Sequence, residues 1–271
     1  MKVFSKISLI LGISVIIFLN GRSPVFASSE QAYQDYVYQY DKYRAAYNEF
    51  RVAKNEYDKF KTLTSQTTVL EKTKVMLTWR NNLLRAYLLF LDEKLNENPG
   101  LNDSNKSLYK TLIGNENSFL EKNTELIPSI GSINDAKTVS SKLESHYLIL
   151  QTSIRQIILG LISGQLNFFY GRLDTSLTAL MTVLNDSREF LPMSKQSIAD
   201  RWVVSINSKK NLYEQKMDGI GSNIAVLKSG RIADLDQRMG EIQKDLGEAK
   251  TYLQDDISYM KELMEILRYK E

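Results

Sequence analysis

The sequence predicts an all-α protein, an elongated antiparallel bundle of long, coiled-coil-like helices. Only 4 prolines occur in 271 residues, and Pro99, Pro128 and Pro192 fall between long stretches rather than inside them. Proline lacks the amide proton a helix needs and clashes with the preceding turn, so its spacing marks where helices stop. Within the stretches, apolar residues recur every three or four positions, the period of a helix. No segment alternates apolar with polar residues, and Asp218-Gly219 keeps helical spacing around it rather than joining two β-branched runs.

Six segments follow. The first runs from about Ser29 to Lys61, and the second starts near Thr68, where Thr68-x-x-Glu71 reads as a capping box, and ends before Asn98-Pro99-Gly100. The third covers about Asp103 to Leu126. The fourth begins near Asp135 and continues to about Asn185 without a strong breaker, roughly 75 Å of helix at 1.5 Å per residue. The fifth spans about Ser194 to Lys228 and the sixth about Arg231 to Tyr269.

Two segments carry a seam for a partner helix. In the first, Tyr33, Tyr36, Tyr40, Tyr43, Tyr47 and Phe50 follow 3-4 spacing, Lys54 interrupts it and Tyr57 resumes it. In the sixth, Ile232, Leu235, Met239, Ile242, Leu246, Ala249 and Leu253 do the same. An extra four-residue step to Ile257, Met260, Met264 and Leu267 then reads as a stutter. An amphipathic helix of this kind is not stable alone, so the partners are expected within the chain.

The first 27 residues read as a secretory signal. Lys2 and Lys6 form a positive n-region, Ile7 to Leu19 a 13-residue apolar core, and Val25 and Ala27 the small residues of a cleavage site, with Ser28 the expected mature N-terminus. The apolar core is short for a bilayer span. The alternative is an uncleaved N-terminal anchor. The expected domains are thus 1–27, signal peptide, and 28–271, one bundle with a candidate sub-boundary near residues 98–102. An exported, extracellular or cell-surface location follows.

Removing the signal takes away Lys2, Lys6 and Arg22 and no acid, so the mature chain holds 32 basic and 32 acidic residues. Such a neutral, evenly mixed chain offers no electrostatic footprint for nucleic acid or an anionic membrane. The sequence has no cysteine, so packing alone must hold the fold.

Chemistry-bearing patterns are sparse. His146 is the single histidine, in Glu144-Ser145-His146, the wrong spacing for the Glu-x-x-His pairs of bundle metal sites. It is expected to be dispensable for folding. Carboxylate pairs such as Glu241/Asp245 and Asp255/Asp256 read as solvated helix faces. No Gly-x-Ser-x-Gly elbow or Gly-rich phosphate loop occurs. No catalytic residue, metal ligand or cofactor site is expected.

Two candidate regions remain. Seven of the 15 tyrosines lie between Tyr33 and Tyr57. Their strict spacing is a packing signature, and Tyr38 and Phe60 lie off the stripe as candidates for an exposed interaction surface. The centre of segment four is apolar from Ile154 to Phe169, with Gly160 and Gly164 at small-xxx-small spacing. It has 16 uncharged residues between Arg155 and Arg172. It reads as a core helix, with Leu161 and Phe168 packed inside. The alternative is a membrane-insertion segment built on Gly160, Gly164, Phe168 and Phe169.

The run from Tyr47 to Thr64 and the region from Thr78-Trp79-Arg80-Asn81 to Leu95 resemble uncharacterised exported all-helical proteins of candidate-phyla bacteria with small genomes. The resemblance covers the first quarter of the mature chain. It implies an extracytoplasmic helical protein and carries over no functional residue.

The expected function is a secreted or cell-surface structural or interaction module without catalysis, with a protein or cell-envelope partner. No nucleic acid is expected, nor membrane association after signal cleavage, and a homo-oligomer is left open. A pore-forming type using segment four is the alternative, and an enzyme without a recognisable motif the third reading.

Overall fold

The structure is a computed structural model that describes residues 27–228 and 230–268. The expected signal sequence, up to residue 26, lies outside the described residues. Among the described residues there are six α-helices and no strand: α1 Ala27–Phe60, α2 Leu63–Asn96, α3 Asp103–Glu125, α4 Ile133–Ser187, α5 Met193–Ala225 and α6 Ile232–Arg268. A 3-10 turn, Arg188–Phe190, joins α4 to α5. The fold is all-α, with helices packed on one another.

Helix ends follow local chemistry. Lys61 takes a left-handed φ of 50° and ends α1. Thr62 then caps α2, its hydroxyl oxygen accepting from the Ser65 amide at 3.2 Å. The predicted capping box at Thr68 is therefore corrected. Thr68 is inside α2, its hydroxyl bonded back to the Thr64 carbonyl at 3.0 Å, because the earlier Ser/Thr cluster had already supplied the cap. α4 starts on a reciprocal box: the Asp135 amide donates to Ser132 Oγ at 3.1 Å, and the Ser132 amide to the Asp135 carboxylate at 2.8 Å. With a further bond from the Gly131 amide, this holds the Asp135 pKa below its ordinary value.

The chain divides into two compact units. One comprises the described residues up to Glu97 with Ile113–His146; the other comprises Asn98–Leu112 and the chain from Tyr147 onward. α4 contributes to both and runs unbroken through Gly160, Gly164 and Gly171.

In the first unit, α1 and α2 pair antiparallel. Tyr36 packs on Tyr87 with ring centroids 5.3 Å apart, Tyr33 on Phe90 at 5.7 Å, and Lys72 bridges to Glu49 at 2.7 Å. The seam differs from the predicted tyrosine stripe. Its fully buried line is Ala32, Ala46 and Ala53, on one seven-residue repeat. Tyr33, Tyr40, Tyr43, Tyr47, Phe50 and Tyr57 flank it half-buried, and Tyr36 alone among these rings is buried. Small side chains at the centre leave room for a neighbouring helix, and the rings seal the sides. Burial pushes the Tyr36 and Tyr43 hydroxyls above their ordinary pKa. Behind the seam, Asn81 Nδ2 donates to Asn123 Oδ1 and Thr124 Oγ1, both at 3.0 Å, tying α2 to α3.

In the second unit, α5 and α6 pair antiparallel on matched seven-residue repeats. Trp202 stacks on Tyr259 at 5.3 Å, Lys209 bridges to Asp255 at 2.7 Å, and Lys216 reaches Asp245 and Glu248 at 2.9 and 2.7 Å. The stutter predicted in α6 is absent. The buried line continues from Leu235, Ile242 and Ala249 to Asp256 and Leu263 without a shift, while Ile257 and Met264 are each 44% exposed. An aspartate in a core position hid the repeat.

Candidate interaction surface

The apolar centre of α4 lies inside the second unit. Leu150, Ile157, Leu159 and Leu161 are essentially inaccessible. The two glycines face neighbours: a Cβ on Gly160 would lie 2.3 Å from the Tyr109 ring, and one on Gly164 2.6 Å from Leu101 Cγ. Gly100 completes the contact, since a Cβ there would lie 1.8 Å from the Gly164 carbonyl oxygen. Asn98 adds a bond from Nδ2 to the Leu161 carbonyl at 2.8 Å. The small-xxx-small stripe is therefore a seat for the Asn98–Leu101 turn and for Tyr109 within this unit. The expectation that Phe168 is a core residue is corrected: Phe168 is 37% and Phe169 58% exposed, one turn beyond the enclosed stretch. The window around this stretch is long and apolar enough to cross a membrane, and 61% of it is buried inside the fold.

Arg155, read from sequence as the charged edge of the apolar run, is the largest fully buried side chain. Its Nη2 meets Asp236 Oδ1 at 2.5 Å, tying α4 to α6, and Nη1 binds the side chain of Gln151. The guanidinium is enclosed while its partner carboxylate is half exposed, so the pair ties the core helix to the surface of α6.

His146 is also structural. Its Nε2 lies 2.6 Å from Oε2 of the buried Glu116, and its ring stacks on Phe119 with centroids 3.7 Å apart. These contacts give it a part in the packing of the first unit. His146→Ala removes a hydrogen-bond partner from a buried carboxylate and should cost about 1–3 kcal/mol in a denaturant titration. Among the described residues, no three His, Asp or Glu side chains converge as a metal ion would require.

Exposed apolar side chains are scattered along the helices, but the most exposed of them, Met193, Leu63 and Phe190, lie at two helix–helix turns. In the α1–α2 turn, Phe60 is 57% and Leu63 79% exposed, with the Lys59 ammonium 5.0 Å from the Phe60 ring. In the α4–α5 turn, Phe190 is 78% and Met193 82% exposed. Both turns thus present a phenylalanine and, three residues on, an unbranched or γ-branched aliphatic side chain. Each is fixed from behind. Thr62 caps the first, while in the second Gln196 Nε2 donates to the Arg188 and Leu191 carbonyls at 3.0 and 2.8 Å. Arg188 grips both oxygens of Asp200 at 2.9 and 2.8 Å. Beside this second turn, Arg188, Met193, Gln196, Arg201 and Val204 line an open depression of about 710 Å³.

Of the predicted surface residues, Phe60 belongs to the first turn. Tyr38 is 54% exposed on α1, packed edge-on against Trp79 at 6.5 Å with Lys42 5.2 Å from its ring. Phe190 and Met193 were missed from sequence because Pro192 marked the turn without saying which neighbours it leaves outside.

Comparison with known protein families, with curated proteins and with solved structures finds no match to this chain.

Proposed function

We propose that the mature chain, from Ser28 onward, is an exported helical interaction module that binds a protein or cell-envelope partner and carries out no chemistry. The observation behind this reading is the pair of turns that each hold a phenylalanine and a neighbouring aliphatic side chain in solvent. A large apolar side chain held outward by a rigid turn is the kind of anchor that supplies most of the energy of a protein interface. The depression beside Met193, with its mixed charges, fits a rim around such an anchor.

The pore-forming alternative draws on the apolar window of α4. Against it, insertion would have to strip Asn98, Leu101 and Tyr109 from the glycine seat and break the half-buried Arg155–Asp236 pair. Incubation of the protein with dye-loaded vesicles separates the two. The module should stay monodisperse in the supernatant and release no dye, whereas sedimentation with the vesicles and release of dye would overturn the proposal.

A further inference from the structure

Asp256 occupies a position that α6 otherwise fills with Leu235, Ile242, Ala249 and Leu263, and its side chain is fully buried. Neither carboxylate oxygen has a hydrogen-bond partner. It lies on α6 between Leu253, which belongs to the core cluster of Ile220 and Leu246, and Met260, which belongs to that of Leu177 and Ile206. An ionised carboxylate in such a place loses its hydration and gains nothing in return, so the neutral acid is the form that fits.

The charged groups that face it are all engaged elsewhere. From α5, Lys209 pairs with Asp255 and Lys210 pairs with Asp174 of α4. From α6 itself, Asp255 adds a second negative charge beside it. Burial is the main cause that lifts the Asp256 carboxyl from the ordinary 3.8 to about 7; Asp255 adds to this, and the two lysines oppose it.

We propose that Asp256 is a protonation-controlled latch on the α5–α6 seam: neutral, it lets the seam close over it; ionised, it competes with Asp174 for Lys210 and loosens α6 from Asp256 to Leu263. The direction follows from linkage. Between about pH 4 and 7 the folded chain holds a proton that the unfolded chain has released, so stability falls as pH rises through that window and levels off above it.

The test compares the wild-type protein with Asp256→Leu, which restores the apolar repeat, and Asp256→Asn, which keeps the shape without the charge. Asp256→Leu should melt several degrees above wild type at pH 8, with the gap closing toward pH 4.5, while the gap between the two variants stays constant with pH. Hydrogen exchange on the wild type gives an independent reading. After correction for intrinsic rates, amides from Ile257 to Leu263 should lose protection at pH 8 relative to those from Leu235 to Ala249. A melting gap that does not change with pH, or equal protection along α6 at both pH values, would overturn the latch.

Discussion

Asp236→Ala should destabilise the second unit by about 3 kcal/mol, the lower end of what breaking a buried ion pair costs, since half of the Asp236 side chain is in water. The loss arises on the other side of the pair. Arg155 is fully enclosed, so removing the carboxylate leaves a guanidinium with only Gln151 to bind and no water to replace Asp236. Replacing both partners, Arg155→Met with Asp236→Ala, should recover most of the loss, because an apolar side chain of similar length needs no partner. Urea titrations of the single and double variants check this. A single variant within about 0.5 kcal/mol of wild type would mean that water reaches Arg155 after all.

Leu161→Ala should cost about 2–5 kcal/mol, the range for truncating an enclosed aliphatic side chain. The glycines beside it give a sharper contrast of sign. Alanine normally stabilises a helix interior over glycine by about 1 kcal/mol. At Gly160 it should do the opposite, because the new methyl would lie 2.3 Å from the Tyr109 ring and the ring cannot retreat as a flexible chain end could. At Gly171, where a Cβ meets nothing within 4 Å, the ordinary gain should appear. Gly160→Leu should be worse than Gly160→Ala, and Phe168→Ala milder than Leu161→Ala since Phe168 is already partly in water. Thermal melting of these variants reads the series. If Gly160→Ala and Gly171→Ala both stabilise, α4 is not seated on the Asn98–Tyr109 segment.

Much of this architecture was legible because helices are written locally. Proline positions and three- and four-residue spacing placed all six helices to within a few residues, apart from the start of α2. What escaped were properties that depend on partners distant in sequence. Gly160 and Gly164 announced a close approach, but nothing in their neighbourhood named Gly100 or Tyr109 as what approaches. Arg155 served only as one bound of an uncharged run, and nothing near it in sequence named Asp236, far along the chain, as the partner that lets it be buried. In α6, Asp256 disguised a regular repeat as a stutter, because a spacing rule reads charge as surface. The tyrosines of α1 drew attention away from Ala32, Ala46 and Ala53, whose small size makes the seam. The exposed turn residues were half legible: Phe60 stood off its stripe, whereas Phe190 and Met193 follow no periodicity.

The proposed interaction function requires the two turns to act as anchors, and site-specific photo-crosslinking in the producing cell tests that most directly. A photoreactive phenylalanine analogue is placed at position 60, at position 190, or at Ser176, an exposed site within α4 that belongs to neither turn. Positions 60 and 190 should give adducts of discrete mass that Ser176 does not, and Leu63→Ser or Met193→Ser in the matching turn should abolish them without lowering the melting temperature. Adducts that are absent at both turns, or no stronger there than at Ser176, would contradict the account.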